Sequence, residues 1–560
     1  MMKGERIIAA AAQMTSEKGQ EAENLRKILG AVDEASGHGA KVIAFPEAMN
    51  NGYIFESPEE SHAMATTLPG TFTDALCKKA KEKQIHIGIG ILEKAPGGRS
   101  IYNNSLLFSP EGRIMGQYRK NFFIKADKHW LRQGDIGYPT FRTDAGTFGF
   151  FICADGRIPE PARCTALNGA QVFLNTSNWG GPDQYLVHVP ARAVENRCWV
   201  IGVTKIGEEP GNYYTGNSFI MDPYGNRLVH ASGDQEEVIY AEIDPTLADD
   251  KSEGIGNDLF NDRRPELYSI LVSPFEETPL FQTLAEKIHP DTMNVQLGAI
   301  QISYNGSSQS TLDEALRECR EAHHKYNVEL MVLPEMFLFD REEVARNPLA
   351  AASFSMNALK HFIELSRETR THCLVNLVEM EGHGCFSTAY FVSPEGIMGK
   401  YRKTHLWGKE KVWAKPGESL EVVRTPFGNF GIMLGYEGRF PEIARCLALK
   451  GADVILWPCD WQREFEFKFI VLERALENKL LIVAANRIDS PAKGPSLLVM
   501  PLGYPITTLA VERPHGKKGF VSRLLNLAHA RSKRIHQNTD LFRDRRPELY
   551  RPLVETFPRG

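Results

Sequence analysis

The sequence lacks what would place it in a membrane, on nucleic acid or in an oxidising compartment. No apolar run approaches the roughly 18 residues needed to cross a bilayer. The stretch Ile7–Ala12 is preceded by Glu5 and closed by Gln13, so it reads as a buried strand rather than the apolar region of a signal peptide. A basic excess is missing too, since Lys+Arg 65 against Asp+Glu 70 leaves a net charge of −5 over 560 residues. Bulk phosphate-driven binding to nucleic acid is therefore not expected. Nine cysteines are an odd number with no Cys-x-x-Cys among them, which argues against a disulfide or zinc scaffold and for a reducing, cytoplasmic setting. With 42% hydrophobic residues, disorder is not expected either.

What is present is a repeat. Asp258–Tyr268, reading Asp-Leu-Phe-Asn-Asp-Arg-Arg-Pro-Glu-Leu-Tyr, returns almost letter for letter as Asp540–Tyr550. Ser109-Pro-Glu-Gly112 leading to Tyr118-Arg-Lys120 returns as Ser393-Pro-Glu-Gly396 leading to Tyr401-Arg-Lys403. The chain is thus two units of about 280 residues, read as residues 1–285 and 290–560 with a linker between Val272 and Asn294. Each unit opens with a short strand (Ile7 to Gln13; Leu297 to Gln301), an amphipathic helix and a second strand ending in Pro-Glu. The helices carry apolar residues at helical spacing (Leu25, Ile28, Leu29, Val32; Leu312, Ala315, Leu316, Cys319). Thr311 with Glu314 reads as a capping box for the second. Val42–Phe45 and Leu330–Leu333 are continuously apolar, as strands covered on both faces should be. Alternating strands and helices predict an α/β sandwich.

In the first unit three reactive side chains stand at strand ends: Glu47 after Phe-Pro, Lys120 in Tyr-Arg-Lys, and Cys153 in Ile-Cys-Ala-Asp-Gly-Arg-Ile-Pro-Glu. An apolar strand delivers Cys153 to a turn, and Pro159 with Glu160 marks a helix start. A helix N-terminus and a nearby ammonium both favour thiolate, so a reactive Cys153 is expected.

With these residues in place the sequence resembles the nitrilase superfamily of carbon–nitrogen hydrolases. The motifs that carry the resemblance are Pro-Glu, Tyr-Arg-Lys, Ile-Cys-x-Asp-x-x-x-Pro-Glu, Ala-Arg-Ala-x-Glu-Asn at Ala191–Asn196 and the Arg-Arg-Pro-Glu-Leu-Tyr tail, in family order and over nearly the whole chain. The resemblance implies two tandem four-layer α-β-β-α sandwiches, a Glu-Lys-Cys triad of Glu47, Lys120 and Cys153, and pairing of sandwich on sandwich, here as an intramolecular pseudo-dimer with or without further homo-oligomerisation. The family's fourth polar position, a Glu seven residues before a Gly, is matched by Asp127 ahead of Gly134, one methylene shorter. The chemistry follows from the residues. Glu47 takes the thiol proton, the sulfur attacks a carbonyl carbon, and Lys120 with a backbone N–H, that of Ala154, holds the oxyanion. Glu47 then protonates the leaving amine and activates water against the thioester. No metal or organic cofactor is called for.

In the second unit Glu335 and Lys403 remain and Glu410 restores the family's Glu, but Gly435 stands where Cys153 stands. Cys446 aligns with Cys164 and lies too far along its helix to replace the nucleophile, and Cys459 is a weaker substitute on the next strand. Glu335 and Lys403 read first as a buried ion pair and second as the remnant of a ligand site. Arg157 with Arg439, and Arg264 with Arg546, occupy matching places and read as scaffold ion pairs. The expectation is an amidase with one active and one pseudo-catalytic domain, acting on a small carboxamide or N-carbamoyl (ureido) compound. Ala154-Asp155 after the cysteine, where true nitrilases carry Trp-Glu, disfavours a nitrile. Tyr53, Asn178 and Trp179 are candidates for the pocket lining, with core packing as the alternative for each. Acyl transfer through the same thioester, and a non-catalytic binding or scaffold protein, remain the other readings.

Overall fold

The computed structural model describes residues 6–98, 100–125, 127–254, 256–286, 293–503, 505–508 and 517–556. Each repeat builds two six-stranded sheets. In the first repeat one sheet runs in the order Glu237–Ile243, Ile7–Gln13, Ala40–Ala44, His86–Lys94, Ile101–Phe108, Ile114–Arg119. Ile7–Gln13, Ala40–Ala44 and His86–Lys94 are parallel, and the flanking strands antiparallel. The other sheet runs Arg227–His230, Phe219–Met221, Trp199–Thr204, Val172–Ser177, Gly146–Ile152, Thr140–Thr143, again parallel at its centre. The two sheets meet face to face, with Ile7–Gln13 against Trp199–Thr204. Helices Glu21–Gly37 and Thr71–Lys83 cover the outer face of the first sheet through Ile28, Val32, Phe72 and Leu76, while Pro159–Leu167 and Val189–Asn196 cover the second. This is the four-layer α-β-β-α order expected, and parallel strands covered on both faces explain why Val42–Phe45 carries no polar side chain.

The second repeat reproduces the plan with sheets centred on Asn294–Gln301, Leu330–Val332 and His372–Glu381, and on Gly428–Ile432, Val454–Cys459 and Leu481–Asn486. Its first helix, Ser308–Tyr326, is capped by Ser307, whose hydroxyl accepts from Ser310 N–H. The helix therefore begins a turn before the capping box expected at Thr311 and Glu314. Thr311 lies inside it and donates back to the Ser307 carbonyl. The expected linker is also more structured than its prolines suggest. Phe275–Glu277 is a short 3₁₀ turn and Pro279–Ala285 a helix capped by Thr278, with Phe275 and Leu280 buried. Pro279 simply occupies the first helical position, where its missing N–H is not needed. Among the described residues no helix is long and apolar enough to cross a membrane.

The compact units differ from the covalent repeats. One runs to Lys251 and takes in Arg534–Leu553, and the other is built on Ser252–Lys533. Each unit is therefore finished by the tail that follows the other repeat. In the first unit Arg545 Nε reaches Glu160 Oε1 at 2.9 Å, Lys128 pairs with Asp544 at 2.6 Å, and Arg546 Nη1 donates to the Gly134 carbonyl at 3.0 Å. In the second unit Arg263 reaches Glu442 at 3.0 Å, Lys411 pairs with Asp262 at 2.8 Å, and Arg264 donates to the Gly417 carbonyl. The Arg–Glu pairs are buried, and removing one partner of such a pair costs about 3–5 kcal/mol.

A fragment of residues 1–285 lacks the segment that supplies Arg545 and Arg546 and should aggregate, or dimerise by lending its near-identical 258–268 tail to a second copy. Size-exclusion chromatography with light scattering checks this. Co-expression with residues 290–560 should return a soluble heterodimer, and a monomeric, stable 1–285 fragment would contradict the dependence on the tail.

Candidate active site

The parallel strands of the first unit deliver the site. Glu47 follows Ala40–Ala44, Cys153 follows Gly146–Ile152, and Asn178 follows Val172–Ser177, all at carboxyl ends of parallel strands, where α/β sheets place their ligands. Lys120 follows the edge strand Ile114–Arg119. Cys153 opens a 3₁₀ turn, Cys153–Arg157, with a left-handed backbone at φ 43°. A non-glycine residue held there carries about 1–3 kcal/mol of strain. Asp155 braces the turn, accepting from Ile152 N–H, Phe122 N–H and the Tyr118 hydroxyl, while burial lifts its pKa to about 6.

Around Lys120 the structure gathers the predicted polar residues. Its Nζ lies 2.9 Å from Glu47 Oε1 and 2.9 Å from Asp127 Oδ2, with all three side chains at most 2% exposed. The one-methylene shortfall of Asp127 therefore does not break the contact. Tyr53 fills the remaining space, donating to Asp127 Oδ1 and accepting from Lys120 Nζ at 3.1 Å. Burial opposes the Lys120 ammonium, yet Asp127 and Glu47 outweigh it and hold its pKa well above the ordinary value. Burial, then Asp127 and Glu47, push the Tyr53 phenol up, so it stays a donor.

Glu47 Oε1 also accepts from Asn103 Nδ2 at 2.5 Å, whereas Oε2 is buried without a partner. That bare oxygen is the one base in the cluster with room for a proton. Cys153 Sγ lies 3.8 Å from the Asn178 carbonyl. Its thiol is pushed up to about 12, first by burial and then by Glu47, with Lys120 opposing. The expectation that the helix start and Lys120 favour thiolate is thus reversed in the resting site: two carboxylates face one ammonium, and burial disfavours any further negative charge. Ala154, the expected oxyanion donor, is buried next to Cys153 in the same turn. Trp179 is fully buried with its ring against Phe219 and Tyr185, a core position. Asn103 escaped the sequence reading, because an Asn inside a strand carries no local signal.

In the second unit Lys403 is again held by two carboxylates, Glu335 at 2.6 Å and Glu410 at 2.5 Å. Gly435 keeps the left-handed backbone of Cys153 at φ 40°, without the strain a side chain brings. A Cβ there would stand 2.0 Å from Glu335 Oε2, so the carboxylate occupies the place of a nucleophile. Cys446 is buried within Pro441–Leu449, and Cys459 Sγ faces the Trp457 carbonyl at 3.0 Å. The matched arginines act as scaffold partners: Arg157 pairs with Asp183 at 2.6 Å and Arg439 with Glu253 at 2.7 Å.

Comparison with known proteins places this geometry. The family described as Carbon-nitrogen hydrolase matches residues 8–251 and again 296–519. A nitrilase of Pyrococcus abyssi is 36% identical over 246 residues, covering 44% of this chain and 92% of that protein. A 2-oxoglutaramate amidase of Bacillus subtilis is 32% identical over 255 residues, covering 45% and 95%. A formamidase of Bacillus cereus is 30% identical over 229 residues, covering 40% and 68%. The family's sequence thus runs through both repeats, and the chain belongs to the carbon–nitrogen hydrolase family.

Proposed function

We propose that the first unit hydrolyses the non-peptide C–N bond of a small carboxamide or N-carbamoyl compound through a Cys153 thioester, and that the second unit is pseudo-catalytic. The observation that carries this reading is the unpartnered, buried Glu47 Oε2 beside a Cys153 that keeps its proton at rest. Such a pair transfers the proton only as the bond forms. Cys153 Sγ attacks the carbonyl carbon while its proton passes to Glu47 Oε2, and the oxyanion rests on the Lys120 ammonium and the Ala154 N–H. The C–N bond breaks, the departing nitrogen takes the proton from Glu47, and the thioester remains. Water then gives a proton to Glu47 and attacks the thioester carbon. Collapse releases the carboxylic acid and restores the thiol with the proton held on Glu47. Asp127 and Tyr53 keep Lys120 charged and aimed.

Names of similar proteins support the reaction class without selecting a substrate. Two of the three are amidases by name and one a nitrilase, so ammonia release across amides, ureido compounds and nitriles is the experiment that assigns the substrate. Amides should be turned over fastest.

Cys153→Ala should abolish turnover, losing a factor on the order of 10³ or more, whereas Cys164→Ala, at a buried helical position, should stay within about threefold. Substantial turnover in Cys153→Ala would sink the assignment.

Asp127→Asn leaves Lys120 with a single carboxylate and should lower kcat about a hundredfold with an intact cooperative melt. Wild-type kinetics in that variant would make Asp127 a bystander.

Because burial and Glu47 hold the Cys153 proton to about 12, its alkylation by iodoacetamide should rise with pH past 9 without levelling, unlike a free thiol of pKa about 8.5. Peptide mass spectrometry at graded pH reads this. A plateau near pH 8 would show a resting thiolate instead.

A further inference from the structure

The second unit keeps more than an ion pair. A cavity of about 270 Å³ opens on Glu335 and Lys403, just below the roughly 300–1,000 Å³ of small-molecule sites. Its polar apparatus has been rebuilt. Arg341 stands six residues after Glu335, as Tyr53 does after Glu47, and Asp460 follows its strand as Asn178 does. The two newcomers pair through two parallel bonds, Arg341 Nε to Asp460 Oδ2 at 2.7 Å and Nη2 to Oδ1 at 2.5 Å.

Charge decides what fits. Each cation on the cavity wall is already matched: Lys403 by Glu335 and Glu410, Arg341 by Asp460, and Lys409 by Glu342. Four carboxylates thus answer three cations on the lining. Glu335 is 7% exposed. Its Oε1 accepts a hydrogen bond from the Lys403 ammonium, while Oε2, lying over Gly435, accepts no hydrogen bond from the described residues. A carboxylate oxygen that faces a cavity without a donor from the protein can accept one from a ligand. Trp407 and Trp413 line the same cavity with half-buried rings, which attract a cation on their faces and shelter an apolar body. Burial raises the Glu335 carboxyl to about 8, so an ammonium at Oε2 takes the place of a proton held there at rest. An anion would find no unmatched cation, and a neutral amide would leave that proton in place.

We propose that the second unit binds a small primary ammonium compound with a short apolar body, reversibly and without turnover, its ammonium donating to Glu335 Oε2 and its body resting on Trp407 and Trp413. Gly435 makes this a binding site only, since no nucleophile faces the ligand.

Isothermal titration of full-length Cys153→Ala with butylammonium, butyramide and butyrate tests the claim, because the three share a hydrocarbon body and differ in charge. Butylammonium should saturate at one per chain and, counting only the heat that Glu335→Gln or Trp413→Ala reduces, bind at least about tenfold tighter than the other two. In the same background Glu335→Gln and Trp413→Ala should each weaken it about tenfold or more. Binding of butyramide or butyrate that Glu335→Gln or Trp413→Ala weakens, and that equals or exceeds that of butylammonium, overturns the proposal, as does the lack of saturable butylammonium heat up to about 50 mM; butyramide heat that both variants leave unchanged belongs to the first unit. Unchanged affinity in Trp413→Ala does the same by moving the site elsewhere. Trp413 lies half-exposed, so that variant decides the matter if Glu335→Gln loses its cooperative melt.

Discussion

A single buried ammonium organises the first unit's site. Lys120 is 1% exposed, and a lone charge taken so far from water would shed its proton or unfold its surroundings. Glu47 and Asp127 answer it from opposite sides, and their own desolvation is tolerable only because Lys120 is there. Each strand end must then sit where its carboxylate or ammonium is required, and the site's geometry becomes a condition of burying the charge. Burial first, and then the charge of Glu47, keeps Cys153 protonated at rest. Reactivity is thereby tied to the arrival of an electrophile that can take up the charge as it develops.

The second unit shows what survives when the nucleophile is absent. Lys403 keeps both carboxylates, since losing one partner of a buried set is costly. Gly435 stands in the place of Cys153 and holds the same left-handed turn without strain. The freed space is partly taken by the Glu335 carboxylate. Retained charge with rebuilt walls around a cavity distinguishes this site from one merely decaying.

Much of this was legible in the sequence, for physical reasons that can be named. The strand ends carrying Glu47, Lys120 and Cys153 are marked by apolar runs closed with turn residues, and internal duplication exposed Gly435 by alignment alone. The role of Asn103 was hidden, because its partner Glu47 belongs to another strand and nothing local signals the pairing. The protonation of Cys153 was misjudged for a similar reason: a nearby lysine is visible in a motif, but the depth of burial that outweighs it is not. Helix capping at Ser307 rather than Thr311 shows the usual uncertainty of a helix end, where several hydroxyls compete within one turn. The bounds 1–285 and 290–560 follow the covalent repeat, in which 252–272 continues the first copy, whereas the ion pair of Arg263 with Glu442 gathers that segment into the second compact unit.

That exchange of tails shapes how the chain acquires its structure. Synthesis runs from the N-terminus, so the first unit's body emerges about 280 residues before the segment at 534–553 that completes it. Until then the first unit lacks the Arg545 that reaches Glu160, and the polypeptide waits in an incomplete state. Closing a loop of that length is entropically tolerable, since the cost grows only with the logarithm of length. It is nonetheless slow, because contacts so distant in sequence form late. Completion of the first unit is thus coupled to translation of the second repeat as far as Leu553, and a ribosome that stalls before that segment leaves a first unit without its closing tail.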